Sequence, residues 1–218
     1  MRALALVLFA VLQVFPARGE AGGSVLRVDF SNPSLTPSQW TLVIHPDGSG
    51  HFEAERGNAP VTRPDAMEPV KVIRDVQLNE QFTQRLFNVV RERRLSDDKC
   101  ESHMKVAFQG WKKISYSGPD GESGCEFNYS GNKEIQHLGD TLVAVASTIL
   151  EGARLELLLQ HDPLGLDKET EYLMEAVGDG RLQQICAIRG VLERVEADPN
   201  VLVRVRKRAQ ILLARSEK

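Results

Sequence analysis

The chain has 218 residues, with 27 Lys+Arg against 30 Asp+Glu and a formal net charge of −3. Hydrophobic residues make up 42% and charged residues 26%, the balance of a folded protein with a core rather than of a disordered or fibrous chain. The acidic excess argues against a general nucleic-acid binder, because neutralising phosphates needs a cationic surface.

Met1 and Arg2 form a short positive start, and residues 3–15 (ALALVLFAVLQVF) are apolar apart from Gln13. Pro16 breaks a helix there, and Ala17-Arg18-Gly19 puts small residues where a signal peptidase reads. This is the order of a secretory signal peptide, residues 1–19, with cleavage expected after Gly19 or, next, after Ala21. The apolar run is shorter than the about 20 residues that cross a bilayer. No cysteine precedes Cys100, so no thiol near the cleavage site can be acylated. The expected location is secreted or periplasmic, and no later run is apolar enough to span a membrane. Without residues 1–19, 25 basic residues face 30 acidic ones, a net charge of −5.

Residues 25–30 (VLRVDF) alternate as a half-buried strand does. Residues 32–38 carry two prolines and read as a loop. Residues 40–45 and 51–55 are rich in β-formers. Pro46-Asp47-Gly48-Ser49-Gly50 between them is turn chemistry: Pro presets φ and Gly tolerates positive φ. The pair is expected to be a hairpin. Residues 57–68 are polar and contain prolines, so they read as a loop, and residues 70–75 read as a strand. The period then changes. Phe82, Leu86, Val89 and Val90 share one helical face and basic residues crowd the last turn, predicting a helix over 79–93. Residues 105–109, 112–117 and 125–129 return to strand character, the last two joined by Gly118-Pro119-Asp120-Gly121. The order β-β-β-β-α-β-β-β predicts an α+β domain over 20–131, an antiparallel sheet with one helix packed on it.

Beyond Asn132 the chain reads as an all-helical C-terminal segment, 132–218. A helix over 135–161 has Gly152 as a kink position, and Pro163 and Gly165 end it. Asp167 is expected to cap a helix reaching Val177, because its carboxylate accepts unpaired backbone N–H groups. A third helix is expected over 182–195, with Leu182, Ile185, Leu192 and Val195 inward. Asp198-Pro199 suits the N-cap and first position of a last helix, whose buried stripe is Leu202, Val205, Ala209 and Leu212.

The cysteines are Cys100, Cys125 and Cys186. In an oxidising compartment a pair is expected to bridge. Cys100 and Cys125 bracket predicted strands, whereas Cys186 sits within the apolar helix pattern RLQQICAIRGVL. The expected bridge is Cys100–Cys125, with Cys186 buried and reduced.

The catalytic inventory is empty. His45 and His51 flank the first turn and would face each other across it if the hairpin closes evenly, but two imidazoles fall short of the three or four ligands of a metal site. There is no HExxH, Cys-x-x-Cys, calcium loop, GxGxxG or P-loop, and no Gly-x-Ser-x-Gly elbow. No catalytic, metal or cofactor residue is assigned. His103, His137 and His161 have no evident partners. Asp97, Asp98 and Glu101 read as a solvated acidic loop. Residues 181–218 hold nine Lys/Arg against four acids, a local +5, which reads as a solvated helix face rather than an anion site. Asn128-Tyr129-Ser130 fits a glycosylation sequon that only a eukaryotic secretory route would use.

Asp198-Pro199-Asn200-Val201, Val203-Arg204, Ala209 and Leu212-Leu213 resemble one HEAT-type repeat unit. A solenoid needs about three units, so the resemblance implies a helical hairpin and no full array. The two Asp-Gly turns, Cys125-Glu126-Phe127-Asn128-Tyr129-Ser130 and Asp162-Pro163-Leu164-Gly165-Leu166-Asp167 together resemble exported bacterial proteins of unknown function. That resemblance implies export and no particular activity. The function expected is a non-enzymatic binding module for a protein or envelope component. The alternative is a hydrolase whose residues converge only in three dimensions. A cleft gathering His45, His51 or His103 with carboxylates would mark the enzyme, and an exposed apolar groove along the C-terminal helices would mark binding.

Overall fold

The computed structural model describes residues 23–57, 68–96 and 100–216. The export signal expected at 1–19 lies outside these residues, as do Asp97, Asp98 and most of the loop expected at 57–68.

The strands β1 (Val25–Ser31), β2 (Gln39–Ile44), β3 (Ser49–Glu55) and β4 (Lys71–Gln77) precede helix α1 (Glu80–Arg93), and β5 (Trp111–Gly118) and β6 (Gly121–Phe127) follow it. They form one antiparallel sheet in the order β4-β3-β2-β1-β5-β6. Period-2 alternation places Leu26, Val28 and Phe30 of β1, Trp40, Leu42 and Ile44 of β2, and Phe52 and Ala54 of β3 on one buried face. Both hairpins form at the expected turns. In the first, His45 N–H donates to Ser49 O at 2.8 Å and Gly48 takes φ +84.

The strand expected at 105–109 is absent, and all five residues are exposed. β5, which follows this segment, already has β1 on one side and β6 on the other. β5 therefore offers no free edge for the segment to join. Gly110, with φ +110, turns the segment against the Phe30 ring, where any Cβ would sit 2.5 Å from ring carbons.

Asn79 caps α1, its side chain accepting from Phe82 N–H, and Arg94 closes the helix in the left-handed region. The helix α2 (Lys133–His161) begins at Asn132, whose side chain accepts from Glu134 and Ile135 N–H. The first half of α2 joins α1 against the sheet through Ile135, Leu138, Leu142, Val145, Ala146 and Ile149. Its second half, from Leu155, enters a separate core with α3 (Leu166–Gly178), α4 (Arg189–Ala197) and α5 (Val203–Arg215). One helix thus carries both cores. Among the described residues no helix is long and apolar enough to cross a membrane.

Gly152 is a contact point and not a kink: α2 runs unbroken through it. A Cβ there would lie 2.3 Å from Ile188 Cγ2. Gly152 therefore lets the 3₁₀ turn Ile185–Ile188 press against α2. Gly152→Val is expected to lower the unfolding free energy by about 1–3 kcal/mol through overpacking. Gly190→Ala, at an exposed helical position with open space around the new methyl, is expected to raise it by up to about 1 kcal/mol. Urea unfolding of both variants reads the contrast, and equal shifts would refute the close-approach role.

Three expectations in the helical segment are corrected. Asp167 does not cap α3, whose N-cap is Gly165 without a side-chain bond. Its carboxylate instead receives Arg204 at 2.7 and 2.6 Å and Arg208 at 2.8 Å. These charge-assisted bonds are stronger than a cap. The helix expected over 182–195 is split into the 3₁₀ turn and α4, because Gln184 takes φ 59 and its Oε1 accepts Asn79 N–H at 2.9 Å. Leu182, Ile185, Leu192 and Val195 are nonetheless buried. Asp198 ends α4 and accepts from Asn200 N–H, while α5 starts later, at Val203. Val201 takes the buried place expected for Leu202, which is 37% exposed.

The Cys100–Cys125 disulfide is present, closing a sequence separation of 25 residues with Cα atoms 6.1 Å apart. Cys186 is free but only half-buried, in the 3₁₀ turn, where its thiol lies 3.5 Å from Gln184 Oε1. Burial pushes its pKa up.

Candidate functional site

Helix periodicity sets Phe82, Arg85, Leu86 and Val89 along one stripe of α1, and Lys133, His137, Leu138 and Thr141 along the first turns of α2. Both helices lie on the sheet, and the gap between these stripes is a groove of about 650 Å³ with Gln183 among its lining residues. Phe82, Leu86 and Leu138 are buried in the sheet core and present their remaining surface to it.

Arg85, Lys133 and His137 are exposed, and among the described residues none has a hydrogen-bond or ion-pair partner. The one acid in the groove, Glu134, is paired with Arg93. Net positive charge therefore remains over an apolar floor. The start of α2 adds the positive end of its backbone dipole beside Lys133. A smaller hollow of about 160 Å³ shares Arg85 and Gln183 with the groove and reaches Cys186 and Arg215. A space of this size suits a small ligand, held by apolar contact and oriented by a few polar groups.

A second constellation lies between α2 and α3. Glu151 faces Glu169, which is 6% exposed and has Arg154 Nε 3.0 Å from its Oε2. Glu151 Oε2 and Glu169 Oε1 are buried with no hydrogen-bond partner among the described residues. Burial first, then the hydrogen bond and charge of Glu169, push Glu151 up to about 8, against the opposing pull of Arg154. At neutral pH Glu151 therefore keeps its proton. Burial also raises Tyr172, with the Glu151 charge adding to it.

The histidines do not converge. The β2–β3 register sets His51 opposite Val43, and His45 bonds across the turn to Ser49, so the two imidazole-bearing residues are not cross-strand partners. His51 lies between Asp75 at 2.7 Å and Glu53 at 3.2 Å, and these carboxylates raise its pKa. His103 sits in the exposed segment after the disulfide, and His137 is on the groove rim. Among the described residues no three of His, Cys, Asp or Glu converge as a metal site. Asn128 of the sequon is a brace, its Oδ1 accepting Gln109 N–H at 2.7 Å. The basic tail is largely committed to ion pairs: Arg204 and Arg208 with Asp167, and Arg194 with Glu156.

Sequence periodicity identifies Phe82 and Leu86 as core but not as the floor of a groove, because their facing residues are about 50 positions away. The available signal is the width of the α1 stripe: Val89 and Val90 are both apolar, and the structure buries Val90 and leaves Val89 at the groove. A scan against protein-family models finds no match for the chain, and a search of curated proteins finds none either.

Proposed function

We propose that this is an exported, non-enzymatic binding protein whose α1–α2 groove takes an anionic amphiphile, one acyl chain ending in a carboxylate or phosphate. The observation that carries this reading is the pair of unpaired cations, Arg85 and Lys133, with the imidazole of His137 beside them, around the apolar floor of Phe82, Leu86 and Leu138. Apolar burial supplies affinity in proportion to chain length, about 0.8 kcal/mol per buried CH₂. The cations supply orientation and select the charged head. Export is supported by the positive, apolar, small-residue order of residues 1–19 and by a disulfide of the kind that persists in oxidising compartments. An envelope component is the natural class of partner, because lipid-derived anions have this build.

The hydrolase alternative draws support from Glu151, a carboxyl that keeps its proton at neutral pH, beside the carboxyl of Glu169. Glu169 is almost wholly enclosed, with Arg154 against it, which favours a structural pair over one that meets a substrate.

Titration calorimetry with dodecanoate, dodecanol and acetate tests the groove. Dodecanoate is expected to bind saturably, dodecanol more weakly, and acetate not at all. The double variant Arg85→Glu/Lys133→Glu, at exposed positions, is expected to weaken dodecanoate at least about tenfold, or 1.4 kcal/mol, with an unchanged thermal midpoint. No saturable binding of dodecanoate, or equal binding by the variant, would end this reading.

A further inference from the structure

The sheet face opposite the helices carries a second site. Alternation sends Asp29, Thr41, Glu53, Lys113 and Glu126 outward, and the registers Asp29↔Thr41, Thr41↔Glu53, Asp29↔Lys113 and Lys113↔Glu126 align them in one transverse row. Two residues along the strands lies a parallel row, Trp111↔Ser31, Ser31↔Gln39 and Gln39↔Glu55. These rows line a trough of about 350 Å³. It crosses five strands, a span of about 19 Å at the usual strand spacing.

Trp111, in the trough lining, is 41% exposed, and Phe108, 49% exposed, meets it edge-on at 6.2 Å. Two aromatic side chains thus stay in solvent beside a polar surface, although either ring would gain by burial. The trough's carboxylates, in contrast, each have a basic neighbour. Asp29 receives Arg27 at 2.9 and 2.7 Å, Glu55 receives Lys71 at 3.1 Å, Glu53 lies 3.2 Å from His51, and Glu126 sits directly across from Lys113. An anion entering the trough finds no free cation, because Lys113, Arg27 and Lys71 each lie beside a carboxylate. A neutral molecule rich in hydroxyl groups does find partners, because each paired carboxylate keeps spare acceptor positions. The electron-rich face of an indole also accepts the weakly positive C–H face of a sugar ring.

We propose that this trough binds a neutral oligosaccharide, with one pyranose ring stacked on Trp111 and hydroxyls donated to Asp29, Glu53, Glu55 and Glu126. The site is separate from the α1–α2 groove and stands whether or not that groove binds an amphiphile. Gln39 and Thr41 add neutral polar contacts between the carboxylates.

The test titrates the purified protein with cellotetraose, chitotetraose and maltotetraose, and with tetralysine as the charged comparison, reading tryptophan fluorescence and saturation-transfer NMR. At least one tetrasaccharide is expected to bind with Kd below about 1 mM, with ring protons receiving saturation from aromatic signals. Trp111→Ala is expected to weaken it at least tenfold, Trp111→Phe to retain most of it, and Glu53→Ala, on an exposed side chain, to weaken it severalfold with an unchanged thermal midpoint. The proposal is overturned if none of the three sugars binds, if Trp111→Ala and Glu53→Ala bind as the parent does, or if tetralysine binds in their place.

Discussion

Replacing both Cys100 and Cys125 by alanine is expected to lower the unfolding free energy by about 3.5 kcal/mol. The figure follows from the chain entropy released when a loop of 25 residues is opened in the unfolded state. For a chain of this size it corresponds to a fall in Tm of roughly 10 °C. The local structure gives the bond a second consequence. Residues 101–110 form no strand, and few backbone bonds tie them to the rest of the chain: Ser102 N–H to Tyr129 O at 3.0 Å, Gln109 N–H to Asn128 Oδ1 at 2.7 Å, and Ala107 O and Gly110 O accepting from Asn128 Nδ2 and Lys112 Nζ, each at 3.5 Å. The bridge fixes one end of that segment to β6. Its loss is expected to speed hydrogen exchange across 101–110 more than in β1 or β5. Alanine is the right replacement, because both cysteines are buried and a serine hydroxyl would need a partner there. Urea unfolding of the double variant and of the reduced parent measures the effect. An unchanged midpoint in both would show that the bridge adds nothing beyond the core.

Glu151→Gln is expected to remove a large part of the pH dependence of stability. In the folded protein Glu151 is pushed up to about 8 by burial, with Glu169 adding to it, from an ordinary value of 4.5. An acid whose pKa rises on folding takes up a proton as the chain folds. Its protonated form therefore contributes its full stability below about pH 4.5, and that contribution is lost as pH rises through 8. The slope in this window reaches at most about 1.4 kcal/mol per pH unit. The groups around it are Arg154 on its own helix, Glu169 and Tyr172 on α3, and Glu68 before β4. The glutamine variant keeps the shape of the neutral acid without the option of ionising. It should match the parent near pH 5 and exceed it at pH 9. Glu169→Gln separates the partners: it removes the counter-charge of Arg154 and is expected to destabilise at every pH. Urea midpoints at pH 5, 7 and 9 decide the matter, and parallel parent and Glu151→Gln profiles would contradict the raised Glu151 carboxyl.

Local chemistry and tertiary contact divide along a physical line. The six strands, both hairpins, helix α1 and the buried positions Leu182, Ile185, Leu192 and Val195 were legible in the sequence. Each rests on a repeat of 2 or 3.6 residues, or on a turn residue whose backbone preference acts within a few positions. The Cys100–Cys125 pair was legible for a different reason, the redox compartment implied by residues 1–19 and the strands between the two cysteines. What failed was each inference that treated a local preference as final. Residues 105–109 have strand character, but a strand also needs an open edge, and β5 has none to offer. Asp167 is a good cap, yet Arg204 and Arg208 draw its carboxylate into stronger bonds from 37 and 41 positions away. Gly152 was read by its backbone freedom, and its use is to leave space for Ile188.

The sequence by itself determined the class of fold, the order of its elements and one covalent link, because these follow from short-range periodicity and residue chemistry. Only the tertiary structure decided where ligands have room. The α1–α2 groove joins Arg85 to Lys133 and His137, and the sheet trough joins Asp29 to Glu53 and Trp111. Neither set shares a helix turn or a strand. Their proximity depends on how α1 and α2 lie on the sheet and on which strand pairs with which, and that is set by long-range burial of side chains rather than by any local pattern.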